Sequence, residues 1–227
     1  MKVITWNLGY WDHRDSQDEA WSYLRKTIRP DLALLQEIRP PKLMTGEALV
    51  FQEAHRGWGT AIYSRELPLD NVPLWEDPGR VIGASVSLPN GERLHLASIH
   101  AKTQPTVFPR LTNIMEEILE TFADRNAVVG GDLNSARLAE DAWPGDGHQQ
   151  FWERMDSDSS ILVDSCQKIN GKELQTFFPK DVKYPFQDDH LFVSRNIVSG
   201  LDGCDVIDTE ETRRVSDHIP LFIELTV

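Results

Sequence analysis

The stretch AVVGGDLNS, residues 127–135, sets an acid and an amide where an apolar run gives way to solvent. Ala127–Val129 reads as a buried strand, and the paired Gly130 and Gly131 let the backbone come close to its neighbours as that strand ends. Asp132 and Asn134, two apart, face the same side if extended geometry continues. Comparable polar residues recur at other strand ends. KVITW (2–6) runs into Asn7, and RLHLASIH (93–100) ends on His100. DLALLQEI (31–38), apolar without alternation as expected for a strand covered on both faces, carries Glu37 near its end. Toward the C-terminus the order reverses, because Asp189 precedes HLFVS (190–194) and Asp217-His218 precede IPLFIELTV (219–227). If those last two strands run antiparallel to the others, all these groups meet at one end of the sheets, where loops on a rigid scaffold carry sites.

The remaining segments supply the scaffold. Ser16 and Glu19 have the spacing of a capping box ahead of a helix over about 18–28, which Pro30 ends. LVFQEAH (49–55), WGTAIYS (58–64), RVIGASVSL (80–88) and RLHLASIH are β candidates, the last two joined by PNGE, whose Asn90-Gly91 pair suits a tight hairpin. Leu111, Ile114, Met115, Ile118, Leu119 and Phe122 recur at helical spacing and predict a helix over 110–122 with one buried face. Residues 136–161 are polar, with a Trp-Pro-Gly-Asp segment and a short helix candidate at QQFWERM (149–155). A loop rich in Gly and Asp separates the last two strands. Strands and helices mixed throughout, with hairpins in the middle, favour two packed sheets flanked by helices.

Bulk properties set limits. A chain of 227 residues, 40% hydrophobic, can bury a full core, and one domain over 1–227 is expected. No segment approaches the roughly 18 apolar residues of a membrane span and no secretory leader is visible, so a soluble, cytoplasmic protein is expected. Cys166 and Cys204 form no CxxC pair and are expected to be reduced packing residues. Thirty-six acidic against 23 basic residues give a net charge of −13, which repels a phosphate polymer on average, so any grip on nucleic acid has to be local. Lys102, Arg110, Arg213 and Arg214 lie near the polar strand ends and are candidates for it, as are Trp6, Trp11, Trp58 and Trp75 for stacking on bases. Each has an ordinary alternative as a solvated charge or core ring.

Glu37, Asp132 and Asp217, two amides and two imidazoles, with no thiolate among them, favour a hard cation such as Mg²⁺ or Mn²⁺, with Glu37 the first choice of ligand. Such a cation suits hydrolysis of a phosphate ester. His218 is the candidate proton handler with Asp189 as the carboxylate that orients it, although Asp188 is an adjacent rival. Asn7 and Asn134 can bind phosphate or hold a water, and Asp132 can orient or deprotonate that water. His95 competes with His100 for any role on their shared strand, but alternation turns the two rings to opposite sides.

TWN (5–7), LLQE (34–37), SIH (98–100), GGDLN (130–134), DHLFVS (189–194) and SDHIPL (216–221), in this order across nearly the whole chain, resemble the motifs of the endonuclease/exonuclease/phosphatase superfamily, the deoxyribonuclease-I-like fold. The resemblance implies an α/β (α+β) four-layer α/β/β/α sandwich with the site between two mixed sheets. It implies that Glu37 binds the metal and that Asn7 and Asp217 support metal or phosphate. It further implies that His218 with Asp189 activates water or stabilises the transition state, that Asp132 and Asn134 position the nucleophile, and that His100 contacts phosphate or assists the leaving group. Thr176-Phe177 resembles the Thr-aromatic pair that precedes the family's DHLF element. Two positions depart from the pattern. Gly9 stands where DNA-repair members carry an acid or amide, and His190 where Tyr is frequent. The expected activity is a Mg²⁺-dependent phosphodiesterase or nuclease, with a phosphatase or phosphodiesterase on a small phosphorylated molecule as the alternative and an inactive binding module as the third reading.

Overall fold

In the computed structural model, which describes residues 1–102, 109–142, 144–157, 160–179 and 185–227, twelve strands form two six-stranded sheets. The first contains β1 (Lys2–Asn7), β2 (Leu32–Ile38), β3 (Ala48–His55), β4 (Trp58–Ser64), β11 (Leu201–Val206) and β12 (Leu221–Leu225), in the order β11-β12-β1-β2-β4-β3. The second contains β5 (Asp70–Val72), β6 (Val81–Ser87), β7 (Arg93–His100), β8 (Ala127–Asp132), β9 (Leu162–Asp164) and β10 (Asp189–Ser194), in the order β5-β6-β7-β8-β10-β9. Helices α1 (Gln17–Tyr23), α2 (Arg110–Thr121), α3 (Ala139–Ala142), α4 (His148–Met155), α5 (Ser165–Asn170) and α6 (Glu210–Val215) lie between strands in the chain.

The sheets pack face to face because their strands are apolar on both sides and distribute the two sets by the period of two. Val3, Leu32 and Leu34 join Leu96, Val128, Leu191 and Val193 in the core between the sheets. Ile4, Trp6, Ala33 and Leu35 point the other way, onto Ala20, Trp21 and Leu24 of the first helical segment. On the far side Ala97, Ile99, Val129 and Phe192 are covered by α2 through Leu111, Ile114, Met115 and Ile118 and by α4 through Phe151, Trp152 and Met155. The result is the expected α/β/β/α sandwich. Burying each such side chain contributes roughly 1.5–3 kcal/mol.

The direction of the strands decides the site. β1 runs parallel to β2 and β7 parallel to β8, while β12 is antiparallel to β1 and β10 antiparallel to β8. The ends of four strands and the starts of two therefore share one edge of the sandwich. Gly131 permits the close approach of β8 to β7: at φ +144 it takes a conformation that side chains avoid, and a Cβ there would stand 1.9 Å from the Ile99 carbonyl oxygen.

Several local expectations need correction. The first helix starts at Gln17 and extends as a wider π turn over Leu24–Ile28 to Arg29, close to the expected span, but Ser16 makes no side-chain cap. The chain enters through a 3₁₀ turn at Arg14–Ser16 instead. The β6–β7 connection is, as expected, a tight hairpin: the Leu88 amide donates to the Glu92 carbonyl and the Gly91 amide to the Leu88 carbonyl around a three-residue loop, and the Glu92 amide donates to Asn90 Oδ1. The segment read as a Gly- and Asp-rich loop before the last strand contains edge strand β11 and helix α6, the latter held by a reciprocal Thr209–Thr212 capping box. Strands β5 and β9 also escape the sequence reading, and Trp143 of the Trp-Pro-Gly-Asp segment lies outside the described residues. Cys166 and Cys204 are free and buried with their sulfurs 3.0 Å apart. Among the described residues no helix is long and apolar enough to cross a membrane.

Candidate active site

Asp132 ends β8 opposite Asp189, which starts β10, and both are buried. The Asp132 carboxylate is gripped at both oxygens: Oδ1 accepts from the Asn134 amide at 2.9 Å and Oδ2 from Asn7 Nδ2 at 2.8 Å. The first bond is an Asx turn, so the residue is at once a turn former and a member of the cluster. Asn134 takes φ +48, extended geometry ends at Asp132, and the Asn134 side-chain amide turns to the Ala101 carbonyl at 3.0 Å. The two residues thus do not simply share a strand face. Burial, with the nearby Asp189 carboxylate adding to it, raises the Asp132 pKa to about 6 against the opposing pull of His218.

His218 follows the buried Ser216, whose hydroxyl donates to the Asn7 carbonyl and accepts from the His218 amide. Its ring is fixed by Asp189, with Nδ1 and Oδ2 2.7 Å apart, and Nε2 faces Asp132 Oδ2 at 3.9 Å. Burial works against the imidazolium, but Asp189 and Asp132 overcome it and hold the His218 pKa well above its usual value. Asp189 rather than Asp188 is the partner. Thr176 Oγ1 accepts from the amides of both aspartates, pinning the strand start, and the Phe177 ring lies 4.7 Å from that of His218. Asp188 is also buried, and burial followed by the charge of Asp132 pushes its pKa to about 7.

Glu37 lies across the edge from this pair. Between Leu35 and Ile38 the β2 ladder carries a bulge, and Glu37 itself has φ +50. Bulges re-aim side chains, and a left-handed non-glycine residue stores strain of a kind that gathers at functional sites. The carboxylate stands 3.4 Å from His100 Nε2, and burial followed by the charge of Asp132 raises its pKa to about 7. His100 Nε2 is also 3.8 Å from Asp132 Oδ2, so this ring bridges the two acids, whereas His95 meets Arg125 and Phe122 elsewhere.

Arg80 is a neighbour the sequence reading missed. Its Nη1 lies 3.2 Å from His100 Nδ1, which can only accept, leaving the proton on Nε2 toward the acids. Burial and the positive charge of Arg80 keep the His100 pKa well below its usual value. The signal was present: Val81 pairs with Ile99, so symmetric extension of the hairpin puts Arg80 across from His100.

Asp217 is half-buried and lines a cleft of about 560 Å³ with Asp12, His13, Phe178, Pro179 and Arg213. Gly9, in place of an acid or amide, has φ +61, and a Cβ there would meet His13 and Ser216 at 3.1 Å, so those side chains fill the space. His190 is fully buried, with Nε2 at 2.9 Å from the Ser135 carbonyl and 2.7 Å from that of Gln187, and braces the loop after Asp132 from behind. Lys102 is paired with Asp77, Arg213 with Asp208 and Arg214 with Glu19. Trp6 and Trp58 are buried, whereas Trp11 and Trp75 are exposed. Among the described residues no three His, Cys, Asp or Glu side chains form a cage for an ion.

No family model and no curated protein matches the chain. Solved structures do. The whole chain is similar to the AP endonuclease LMAP from Leishmania major at 17% identity, covering 87% of that chain with a TM-score of 0.74. It is similar to the 3′-5′ exonuclease NExo from Neisseria meningitidis at 22% identity, covering 100% of that chain with a TM-score of 0.72. It is also similar to TDP2 from D. rerio complexed with single strand DNA product, at 19% identity, 99% of that chain and a TM-score of 0.73. The architecture is therefore that of the endonuclease/exonuclease/phosphatase proteins, the deoxyribonuclease-I-like fold.

Proposed function

We propose that this protein is a divalent-cation-dependent phosphoesterase that hydrolyses phosphodiester bonds in nucleic acid. The observation that carries the reading is the two-sided cluster in which His218, oriented by Asp189 at 2.7 Å, faces Asp132 while Glu37 and His100 close the opposite side.

The residues fit a hard cation. Glu37 and Asp132 are buried acids whose pKa values are raised by burial first and by neighbouring carboxylate charge after it, and Mg²⁺ characteristically takes only one or two protein carboxylates. Glu37, supported by Asn7 and Asp217, would hold Mg²⁺ or Mn²⁺, which when bound neutralises phosphoryl oxygens and acts as a Lewis acid. The other steps belong to side chains. Asp132, fixed by Asn7 and Asn134, accepts the proton of an attacking water, a task for which a pKa of about 6 is suited near neutral pH. His218, kept cationic by Asp189, supplies a donor at Nε2 to the charge that develops on the phosphoryl group. His100, neutral and protonated at Nε2, donates toward a phosphate oxygen.

Nucleic acid as substrate is supported by the fold shared with nucleases, while the net charge of −13 favours the second reading, a small phosphorylated molecule. A panel with Mg²⁺ or Mn²⁺ decides: labelled single- and double-stranded DNA, RNA, an abasic duplex, nucleotides and inositol phosphates. Cleavage of an oligonucleotide is expected; turnover of nucleotides or inositol phosphates alone overturns the nuclease reading in favour of the second.

A further inference from the structure

Next to Glu37 the chain carries a group of aromatic and cationic side chains with no part in the chemistry above. Trp11 is 54% exposed, yet its ring is set by two others: it meets Trp58 edge-on at 5.2 Å and Tyr10 edge-on at 5.7 Å, while Tyr10 and Trp58 stack on each other beneath it. Trp58 in turn touches the His100 ring, and the Trp11 amide faces Glu37 Oε2 at 3.4 Å, so the platform begins at the proposed reaction centre.

Three arginines surround it. Tyr10, Trp11, Arg14, Arg39 and Arg56 line a cavity of about 200 Å³, larger than the ~150 Å³ cavity that takes up benzene. Arg39 donates to the Tyr10 hydroxyl at 2.7 Å, and both Arg39 and Arg14 lie over the Tyr10 ring. Among the described residues none of these three has a carboxylate within ion-pair distance. Arg25, Arg65, Arg93, Arg137, Arg213 and Arg214 are each paired with one. In a chain of net charge −13, three unpaired guanidinium groups around an exposed indole are the local cationic grip that the bulk composition otherwise denies to nucleic acid.

The backbone at Arg56 adds an independent sign. Arg56 and Gly57 form the two-residue turn between β3 and β4, and both have positive φ. Such a turn favours Asn or Gly at its first position, and arginine there stores strain.

Resting on the phosphodiesterase reading, we infer that Trp11, Arg14, Arg39 and Arg56 form a subsite for single-stranded nucleic acid, the indole stacking on an unpaired base and the guanidinium groups holding the phosphates that flank it. The chain is thereby selective for strands with an unpaired nucleotide beside the scissile phosphate.

The test is anisotropy of a short fluorescein-labelled single strand in EDTA, where binding is read without turnover. Trp11→Ala is expected to weaken binding about 10- to 100-fold and Trp11→Phe to restore most of it. A strand of abasic residues should bind wild type and Trp11→Ala alike. Arg14→Ala and Arg39→Ala should each lower the salt slope of binding by about 0.7. Arg56→Asn should leave the melting temperature unchanged or raised while weakening binding. Mononucleotide should compete far less well than the strand. Equal affinity of Trp11→Ala and wild type for the base-containing strand overturns the subsite, as does equal competition by mononucleotide. Hydrolysis of bis(p-nitrophenyl) phosphate by the wild-type protein with Mg²⁺ or Mn²⁺ reports the reaction centre separately. Its absence counts against the phosphodiesterase reading, whereas its presence with unaltered Trp11→Ala binding counts against the subsite alone.

Discussion

Asp132 and Asp189 stand directly opposite one another on antiparallel strands, and His218 is bonded to the second at 2.7 Å while its other ring nitrogen faces the first at 3.9 Å. The ladder register, rather than any loop, sets this spacing, so the imidazole is held between two carboxylates of unlike role. Asp189 fixes the tautomer from behind, and Asp132 faces the reaction.

Asp189→Asn tests that division of labour. The amide fills the same space, but an Nδ2–H facing His218 Nδ1 removes the charge that sustains the imidazolium and permits the wrong tautomer. Steady-state kinetics on an oligonucleotide are expected to show kcat reduced by about 10²- to 10⁴-fold with little change in KM, and His218→Ala to add little when combined with it. Additive losses in the double variant would mean that the two do not act as a unit.

Cation dependence is expected to be complete. EDTA should abolish hydrolysis and Mg²⁺ restore it. Glu37→Gln, which keeps the shape of the side chain but loses its charge, should need a much higher Mg²⁺ concentration for half-maximal rate. Thermal melting supplies a second readout, because a ligand bound only by the native state raises the midpoint. Full activity of Glu37→Gln without added metal would overturn the assignment.

Much of this was legible in the sequence because the chemistry sits where apolar strands end. LLQE, SIH and GGDLN each announce a strand and its terminal polar group together, and the reversed order in DHLFVS and SDHIPL gives the antiparallel strands that bring the groups to one edge. Less legible were elements whose identity depends on neighbours. Strand β11 is buried only at Leu201 and Cys204, with a register shift between Leu201 and Gly203, so it shows no two-residue alternation and takes its place by pairing with β12, and α6 is a six-residue helix with only a Thr-Thr capping box to mark it. The strained φ of Glu37 and Arg56 leaves no signature in residue type. Asp132 shows the limit from the other side, since an Asp after a strand suits a turn as well as a site and this carboxylate serves both.

Asp188 predicts a pH effect on stability. Burial and the charge of Asp132 raise its native pKa from 3.8 to about 7, so the native state binds the proton more tightly than the unfolded chain. Its favourable contribution is present below about pH 4 and is lost as pH rises toward 7 and through it. In EDTA, Asp188→Asn should therefore stabilise the protein at pH 8, by an amount on the order of 2 kcal/mol, and have little effect near pH 4. Denaturant melts at the two pH values measure it. A stabilisation that grows as pH falls would contradict the sign.

Arg80 and His100 give the last prediction. The guanidinium faces Nδ1 of a buried imidazole, and both burial and its charge disfavour the imidazolium. Arg80→Met removes the charge while keeping an apolar stem against Trp58, over whose ring the guanidinium lies. The His100 pKa should rise in the variant yet stay below 6.5, because burial persists, and imidazole ¹⁵N shifts across pH 4–8 will show the displacement. The neutral Nε2–H that points at Glu37 and Asp132 in the wild type is then replaced by a mixture of tautomers, and kcat/KM on an oligonucleotide should fall by about 10- to 100-fold. An unchanged His100 titration with reduced activity would assign Arg80 a direct contact with substrate phosphate instead of a positioning role.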